Sequence, residues 1–239
     1  MCKFGNRWDC FLKLLVTIVI GISFGMLNAK RPFKKVVSSH GVTVYERTHR
    51  SDLLELKARG IIHHPLHRVL DVLLDEKKIQ EWQPLESFER LKTYSEYHFI
   101  NYFAMDLPWP ISNRDLVSET KIEVNEKKFY VMMRLKDIKG LKPERKGYVR
   151  LPVNEGYWFL KPVNRGESCE VEFLTRGDPG SWIPKWILNW VARKQIVKGF
   201  DRLRDRLNKV SKSSGMRSEI LQKVRAWPIA KGGEAKSTP

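Results

Sequence analysis

Alternation of apolar and polar positions governs most of the middle of the chain. In "EYHFINYFAMD", Tyr97, Phe99, Asn101, Phe103 and Met105 share one face, because successive side chains of a strand point to opposite sides. "RDLVSETKIEV" sets Leu116, Ser118, Thr120, Ile122 and Val124 against Glu119, Lys121 and Glu123. "KKFYVMMRL" offers Phe129, Val131, Met133 and Leu135, and "SCEVEFLTR" offers Cys169, Val171, Phe173 and Thr175. This pattern predicts antiparallel strands with one face solvated. "VTVYER" (42–47), "LLELKARGII" (53–62), "GYVRLP" and "GYWFLKP" read as further strands, the last two joined by the turn "VNEG". "DIKGLKPERKG" breaks the pattern with Gly, Pro and charge, and predicts a long loop.

Two stretches change period. In "HPLHRVLDVLLDE", Leu66, Val69, Leu70, Leu73 and Leu74 recur at helical spacing. "DPGSWIPKWILNWVARKQIVKGFDRLRDRL" (178–207) opens as a Pro/Gly turn and continues as a long helix. Its apolar positions are Ile183, Trp186, Ile187, Trp190, Val191, Val197, Phe200, Leu203 and Leu207. Its other face carries Lys185, Arg193, Lys194, Lys198, Arg202 and Arg206. The order is two strands, a helix, about seven strands and one long helix, an α+β arrangement whose curved antiparallel sheet the last helix must cover. Such a sheet wrapped on one helix leaves a groove. Either the protein's own side chains fill it, tryptophans included, or a guest molecule does.

The ends differ in kind from this middle. Lys3, Arg7 and Lys13 precede "LLVTIVIGISFGML", which ends in "LNA". Residues 1–29 read as a secretory signal peptide with Ala29 last before cleavage, or as a retained membrane anchor. For a span, Phe11–Leu27 is marginal in length and contains Lys13 and two glycines. Lys30, Arg31, Lys34 and Lys35 outweigh the charge before the run and disagree with simple export. The expectation is an exported protein, periplasmic or extracytoplasmic, with membrane anchoring as the alternative. The domain is placed at 30–210. Beyond Val210 the apolar pattern weakens, so 211–239 reads as a basic, flexible tail.

The formal net charge of +17 permits attraction to anionic membrane or to nucleic acid. The aromatic residues fall at core spacing instead of interleaving with basic ones, which argues against nucleic acid. A monomer is expected. Cys2 and Cys10 lie in the leader, leaving Cys169 as a small core residue with no disulfide partner after cleavage. His63, His64 and His67 in "HHPLH" have no evident acidic neighbour, so no metal is assigned. No G-x-S-x-G, Walker A or G-x-G-x-x-G pattern occurs, and no cofactor is implied.

Four stretches, in order and at compatible spacing, carry a family likeness: "LPWPISNRDLV" (107–117), "KGYVR" (146–150), "WFLKP" (158–162) and "DPGSWIPKWILN" (178–189). Over about 42–208 the chain resembles the START domain, the steroidogenic acute regulatory protein-related lipid transfer family. The resemblance implies a helix-grip fold: a curved antiparallel β-sheet wrapped around a long C-terminal α-helix, with an internal hydrophobic cavity for one lipid. It also implies a gate made of that helix and an inter-strand loop, placed at Asp137–Arg145 with Leu141 as apolar tip and Ile183 on the helix side.

A lipid tail gains about 0.8 kcal/mol per buried CH₂, so such a site needs a dry apolar wall more than reactive groups. Phe99, Phe103, Met105, Phe129, Met133 and Phe173 would supply that wall, with Trp186, Ile187 and Trp190 from the helix. Sterol-binding relatives tend to hold an acid and an arginine inside the tunnel; the matching positions here look like Asn101 and Thr120. Those two and Arg114 are the candidate polar contacts. The resulting expectation is non-enzymatic binding of one hydrophobic ligand, lipid or sterol-like, with possible transfer between membranes and contact with an anionic surface. The alternative is a helix-grip enzyme of cyclase type acting on an apolar substrate.

Overall fold

The alternating segments join into one ten-stranded sheet. The computed structural model describes residues 32–48, 54–107, 109, 111–151, 154–177, 185–210 and 218–227. All its elements belong to the unit that begins at Phe33. The strands are β1 (Lys34–Ser39), β2 (Val42–Thr48), β3 (Leu54–Ile62), β4 (Leu85–Ser95) and β5 (His98–Met105). They continue as β6 (Asn113–Asn125), β7 (Tyr130–Asp137), β8 (Tyr148–Arg150), β9 (Asn154–Val163) and β10 (Ser168–Gly177). Their spatial order is β1-β2-β3-β10-β9-β7-β6-β5-β4, with β8 attached to β6. Every pairing is antiparallel except β6 with β8. The sheet is curved and open, and a long helix, α2 (Lys185–Lys209), follows its last strand. The helix-grip expectation holds.

Two strands were not legible as alternation. β1 is an exposed edge with little apolar content. In β4 the register to β5 shifts between Leu85 and Ser87, between Arg90 and Lys92, and between Thr93 and Ser95. Each bulge moves the following side chains to the other face and erases a period-two signal.

Helix α1 (Leu66–Leu74) and a 3₁₀ turn (Glu76–Glu81) connect β3 to β4. The core is built from strand residues Val42, Val44, Ala58, Val131, Leu160 and Val171, from Val69 and Leu70 of α1, and from Phe200, Leu203 and Leu207 of α2. Cys169 is fully buried in it, and burial pushes its thiol up to about 12. The Phe200 ring lies 3.3 Å from where a Cβ on Gly60 would stand. That glycine lets the helix settle on β3.

Part of the stretch read as a tail is structured. Glu219–Arg225 form a short helix, α3, whose Ile220, Leu221 and Val224 are buried in the main core. The Ser218 hydroxyl accepts from the Leu221 amide at 3.4 Å and caps it. A helix this short does not stand alone in water; docking holds it. Three apolar positions in a basic stretch were too few to show a period. The leader at 1–29, and within the tail residues 211–217 and 228–239, lie outside the described residues. Among the described residues no helix is long and apolar enough to cross a membrane.

Gly156 of β9 approaches β10 so closely that a Cβ on it would sit 2.2 Å from the Leu174 carbonyl oxygen. Gly156→Ala is therefore expected to destabilise the fold by about 1–3 kcal/mol through overpacking. A urea midpoint unchanged from the parent chain would contradict this close approach.

Candidate functional site

Between α2 and the sheet lies a cavity of about 350 Å³, within the range of ligand pockets. Strand register arranges its floor in rows. Phe88 faces Phe103, and Phe103 faces Leu116, giving one apolar row across β4, β5 and β6. The neighbouring row runs Arg90, Asn101, Ser118 across the same three strands and is polar. Phe99 pairs with Thr120, which pairs with Leu135 of β7. All of these side chains line the cavity.

An aromatic group closes one wall. Trp158 of β9 centres it, with ring centroids 4.5 Å from Phe173, 6.3 Å from Phe200 and 6.5 Å, edge to face, from Trp82. Opposite, α2 contributes Gln195, Ile196, Gly199 and Phe200, one face at i, i+3/i+4 spacing.

Of the residues singled out in the sequence, Phe99, Asn101, Phe103 and Met105 of β5 line the cavity. So do Thr120 of β6, Met133 of β7 and Phe173 of β10. The side chains of Trp186 and Ile187, and all of Trp182 and Ile183, lie outside the described residues.

Four assignments need correction. Trp190 is 58% exposed and is not a lining residue; at roughly 100° per residue it stands half a turn away from Gly199. Phe129 sits in the β6–β7 turn, its ring 5.6 Å from that of Trp227 beyond α3. Arg114 has the inward parity but is buried at the strand start, where it donates to the Ser112 carbonyl at 2.7 Å, clear of the cavity.

The fourth concerns the loop Asp137–Arg145, which packs on the face of the sheet opposite the cavity. Ile138 joins Ile100, Tyr102, Ala104 and Val117 there. Lys142 bonds Glu89, Arg145 bonds Glu86 at 2.6 Å, and Leu141 at the tip is exposed. The connection between β5 and β6, by contrast, does meet α2. Its Leu107 and Ile111 pack on Val191, and it presents Trp109 at 93% exposure.

The site also holds polar groups that the sequence did not point to. Glu76, in the 3₁₀ turn, pairs with Arg90 of β4, whose guanidinium lies 3.7 Å above the Phe99 ring. Burial lowers the Arg90 pKa, with Glu76 pulling against it. An acid–arginine pair thus exists in the cavity, supplied by elements outside the strands where parity placed its counterparts. Four lining residues carry buried polar atoms with no protein partner: Trp82 Nε1, Arg90 Nε, Asn101 Oδ1 and Gln195 Oε1. A buried group left unpaired costs about 1–3 kcal/mol, so these four atoms call for a partner that the protein's own side chains do not supply.

His63 is exposed, and His64 is 2.9 Å from Asn208. Burial lowers the His67 pKa, reinforced by Arg225 and Arg68. Among the described residues no group of three His, Cys, Asp or Glu side chains could hold a metal ion.

An open curved sheet closing an apolar chamber against a C-terminal helix defines a cavity-bearing binding domain. The START domain family matches residues 33–213, and the chain belongs to that family. It is 27% identical over 167 residues to the phosphatidylcholine transfer protein of Mus musculus, a match covering 67% of this chain and 77% of that one. A STAR-related lipid transfer protein fragment from Xanthomonas axonopodis aligns with TM-score 0.67 and 26% identity, over 75% of this chain and 100% of the fragment. The Zhui aromatase/cyclase of Streptomyces sp. R1128 shares the fold, with TM-score 0.52 and 12% identity over 68% of this chain and 98% of that one.

The outer face has its own anchor. Arg150 grips the fully buried Asp115 carboxylate at 2.8 and 2.9 Å, Tyr102 donates to it at 3.1 Å, and Arg150 also holds the Lys142 and Pro143 carbonyls. Burial alone would raise the Asp115 pKa, but Arg150 and Tyr102 outweigh it and hold the carboxyl below its usual value. Asp115→Asn should cost about 3 kcal/mol at neutral pH, since it leaves a largely buried guanidinium uncompensated. Because the folded pKa is depressed, this stability is present above the unfolded carboxylate value near 4 and lost as pH falls through the folded one. The gap between parent and variant should therefore shrink in acid; denaturant titrations across pH that keep it constant would contradict the assignment.

Proposed function

We propose that this protein binds one hydrophobic ligand in the cavity and carries it between membranes without chemical change. The observation that carries the reading is the chamber itself: aromatic and aliphatic walls around a few unsatisfied polar atoms. Membership of the START family supports it, as do relatives named for lipid transfer. Phe99, Phe103, Met105, Met133, Trp158 and Phe173 hold the hydrocarbon, and Asn101 and Thr120 meet its polar atoms.

The gate in this reading is the contact of α2 with the β5–β6 connection, where Leu107 and Ile111 meet Val191. Trp109 and Trp190 stand exposed beside it, with the Lys194 ammonium 5.0 Å from the Trp190 ring centroid and Lys198 one turn on. Tryptophan favours the membrane–water interface, and each lysine near an anionic surface adds about 1 kcal/mol. The leader reading places this exchange at an extracytoplasmic membrane face.

Gly199 lines the cavity, and nothing stands within 4 Å of where its Cβ would be. Gly199→Leu should leave the chain folded, with a helix gain of up to about 0.8 kcal/mol. Its side chain occupies ligand space, so bound lipid measured by native mass spectrometry should fall about tenfold or more. Lipid content equal to that of the parent would reject the cavity as the ligand site.

Replacing both Trp109 and Trp190 by Ala should slow transfer of a fluorescent lipid between anionic vesicles several-fold while equilibrium binding in solution is kept. An unchanged transfer rate would remove the membrane-facing role from this pair.

A further inference from the structure

The four buried polar atoms of the cavity that find no partner among the described residues are of two kinds. Trp82 Nε1–H and Arg90 Nε–H can only donate, whereas the amide oxygens of Asn101 and Gln195 can only accept. The set therefore asks a guest for an acceptor and for a donor. Acceptors are common to every lipid that contains oxygen; donors are not. A fatty ester or a phosphatidylcholine carries oxygens but no O–H or N–H. It could serve Trp82 and Arg90, and it would leave Asn101 and Gln195 unpaired.

Placement narrows the group. Arg90 of β4 and Asn101 of β5 are opposite each other in register, which sets their Cβ atoms about 4.5–5.5 Å apart. A donor beside an acceptor on one floor row is the complement of a hydroxyl, whose single oxygen donates once and accepts twice. Asn101 is 6% exposed, so its oxygen is shut off from bulk solvent. Gln195 adds a second acceptor from α2, on the opposite wall.

Charge narrows it further. Of the described residues lining the cavity, only Glu76 and Arg90 ionise, and they pair with each other. The Arg90 guanidinium also lies 3.7 Å above the Phe99 ring. Neither member is left over to balance a charged guest, and a lone charge drawn from water into this hollow would go uncompensated.

We propose that the cavity selects an uncharged amphiphile with a free hydroxyl. The hydroxyl sits at the Arg90–Asn101 pair, donating to Asn101 Oδ1 and accepting from Arg90 Nε–H. A further O–H or N–H on the guest, where it has one, meets Gln195 Oε1. This selectivity rests on the carrier reading above, since it concerns the same chamber.

The test uses the full chain and three fluorescent probes with the same hydrocarbon: cis-parinaryl alcohol, its methyl ether, and cis-parinaric acid at a pH where the acid is ionised. The parent should bind the alcohol about tenfold more tightly than the ether, whose oxygen accepts but cannot donate. It should also bind the alcohol more tightly than the carboxylate. In the double variant Asn101→Leu, Gln195→Met the preference for alcohol over ether should fall to about twofold or less. Equal affinity of the parent for alcohol and ether would overturn the inference and leave the carrier intact, because solvent would then serve the buried amides. That comparison stands whether or not the variant folds. A preference that survives in the folded double variant, or a carboxylate held as tightly as the alcohol, would overturn it as well. Failure of all three probes to bind would remove the carrier reading and this selectivity together.

Discussion

One helix cannot fill the trough of a ten-stranded curved sheet, and the rest of this molecule follows from that mismatch. The contact between α2 and the sheet is graded along the helix. Toward its C-terminal end Phe200, Leu203 and Leu207 reach the floor and are fully buried. Two neighbouring residues mark the change. Phe200 closes the trough by resting on the bare backbone of Gly60, whereas Gly199 sends no side chain into the space before it. Apolar surface that the helix does not cover is left for a guest, at about 25 cal/mol for each Å² withdrawn from water.

Polar groups in such a hollow need a reason to persist. Replacing Asn101 or Gln195 by an apolar residue of similar size would remove an unpaired group worth about 1–3 kcal/mol. The chain instead sets Arg90, Asn101 and Ser118 side by side across three strands, with Gln195 facing the same space from the helix. Selection for folding alone would not favour that row. A ligand that completes its hydrogen bonds would recover the cost and acquire a fixed orientation, its polar part at the row and its hydrocarbon against Trp158 and Phe173.

The sequence made the floor of this site legible where one face of a strand is wet and the other dry. In β5, β6, β7 and β10 strict alternation identified Phe99, Asn101, Phe103, Thr120, Met133 and Phe173 as inward residues, and the cavity lining includes all of them. Where that contrast fails, the reading fails. "YWF" at 157–159 is aromatic on both faces, so parity could not select Trp158. Bulges in β4 hid Phe88 and Arg90. On α2 the weight of aromatic residues drew attention to Trp190, although a helical projection from Phe200 and Leu203 would have pointed to Ile196 and Gly199. Phe129 kept the parity of β7 on paper but falls in the turn before it, at positive φ, where alternation no longer applies.

The same contrast between deep and shallow packing decides which contact can yield. The loop after β7 is tied to the outer face by the buried Asp115–Arg150 pair and by ion pairs at Glu86 and Glu89, and breaking a buried pair alone costs about 3–5 kcal/mol. The main core would cost far more, since Phe200, Leu203 and Leu207 would all return to water. The cluster of Ile111, Val191 and Leu107 is small and separate from both. At about 1.5–3 kcal/mol for each fully buried aliphatic side chain, its two buried residues contribute only a few kcal/mol. In the carrier reading proposed above, inserting Trp109 and Trp190 into an interface would offer a return of similar size, so a membrane surface would shift this contact toward its open form.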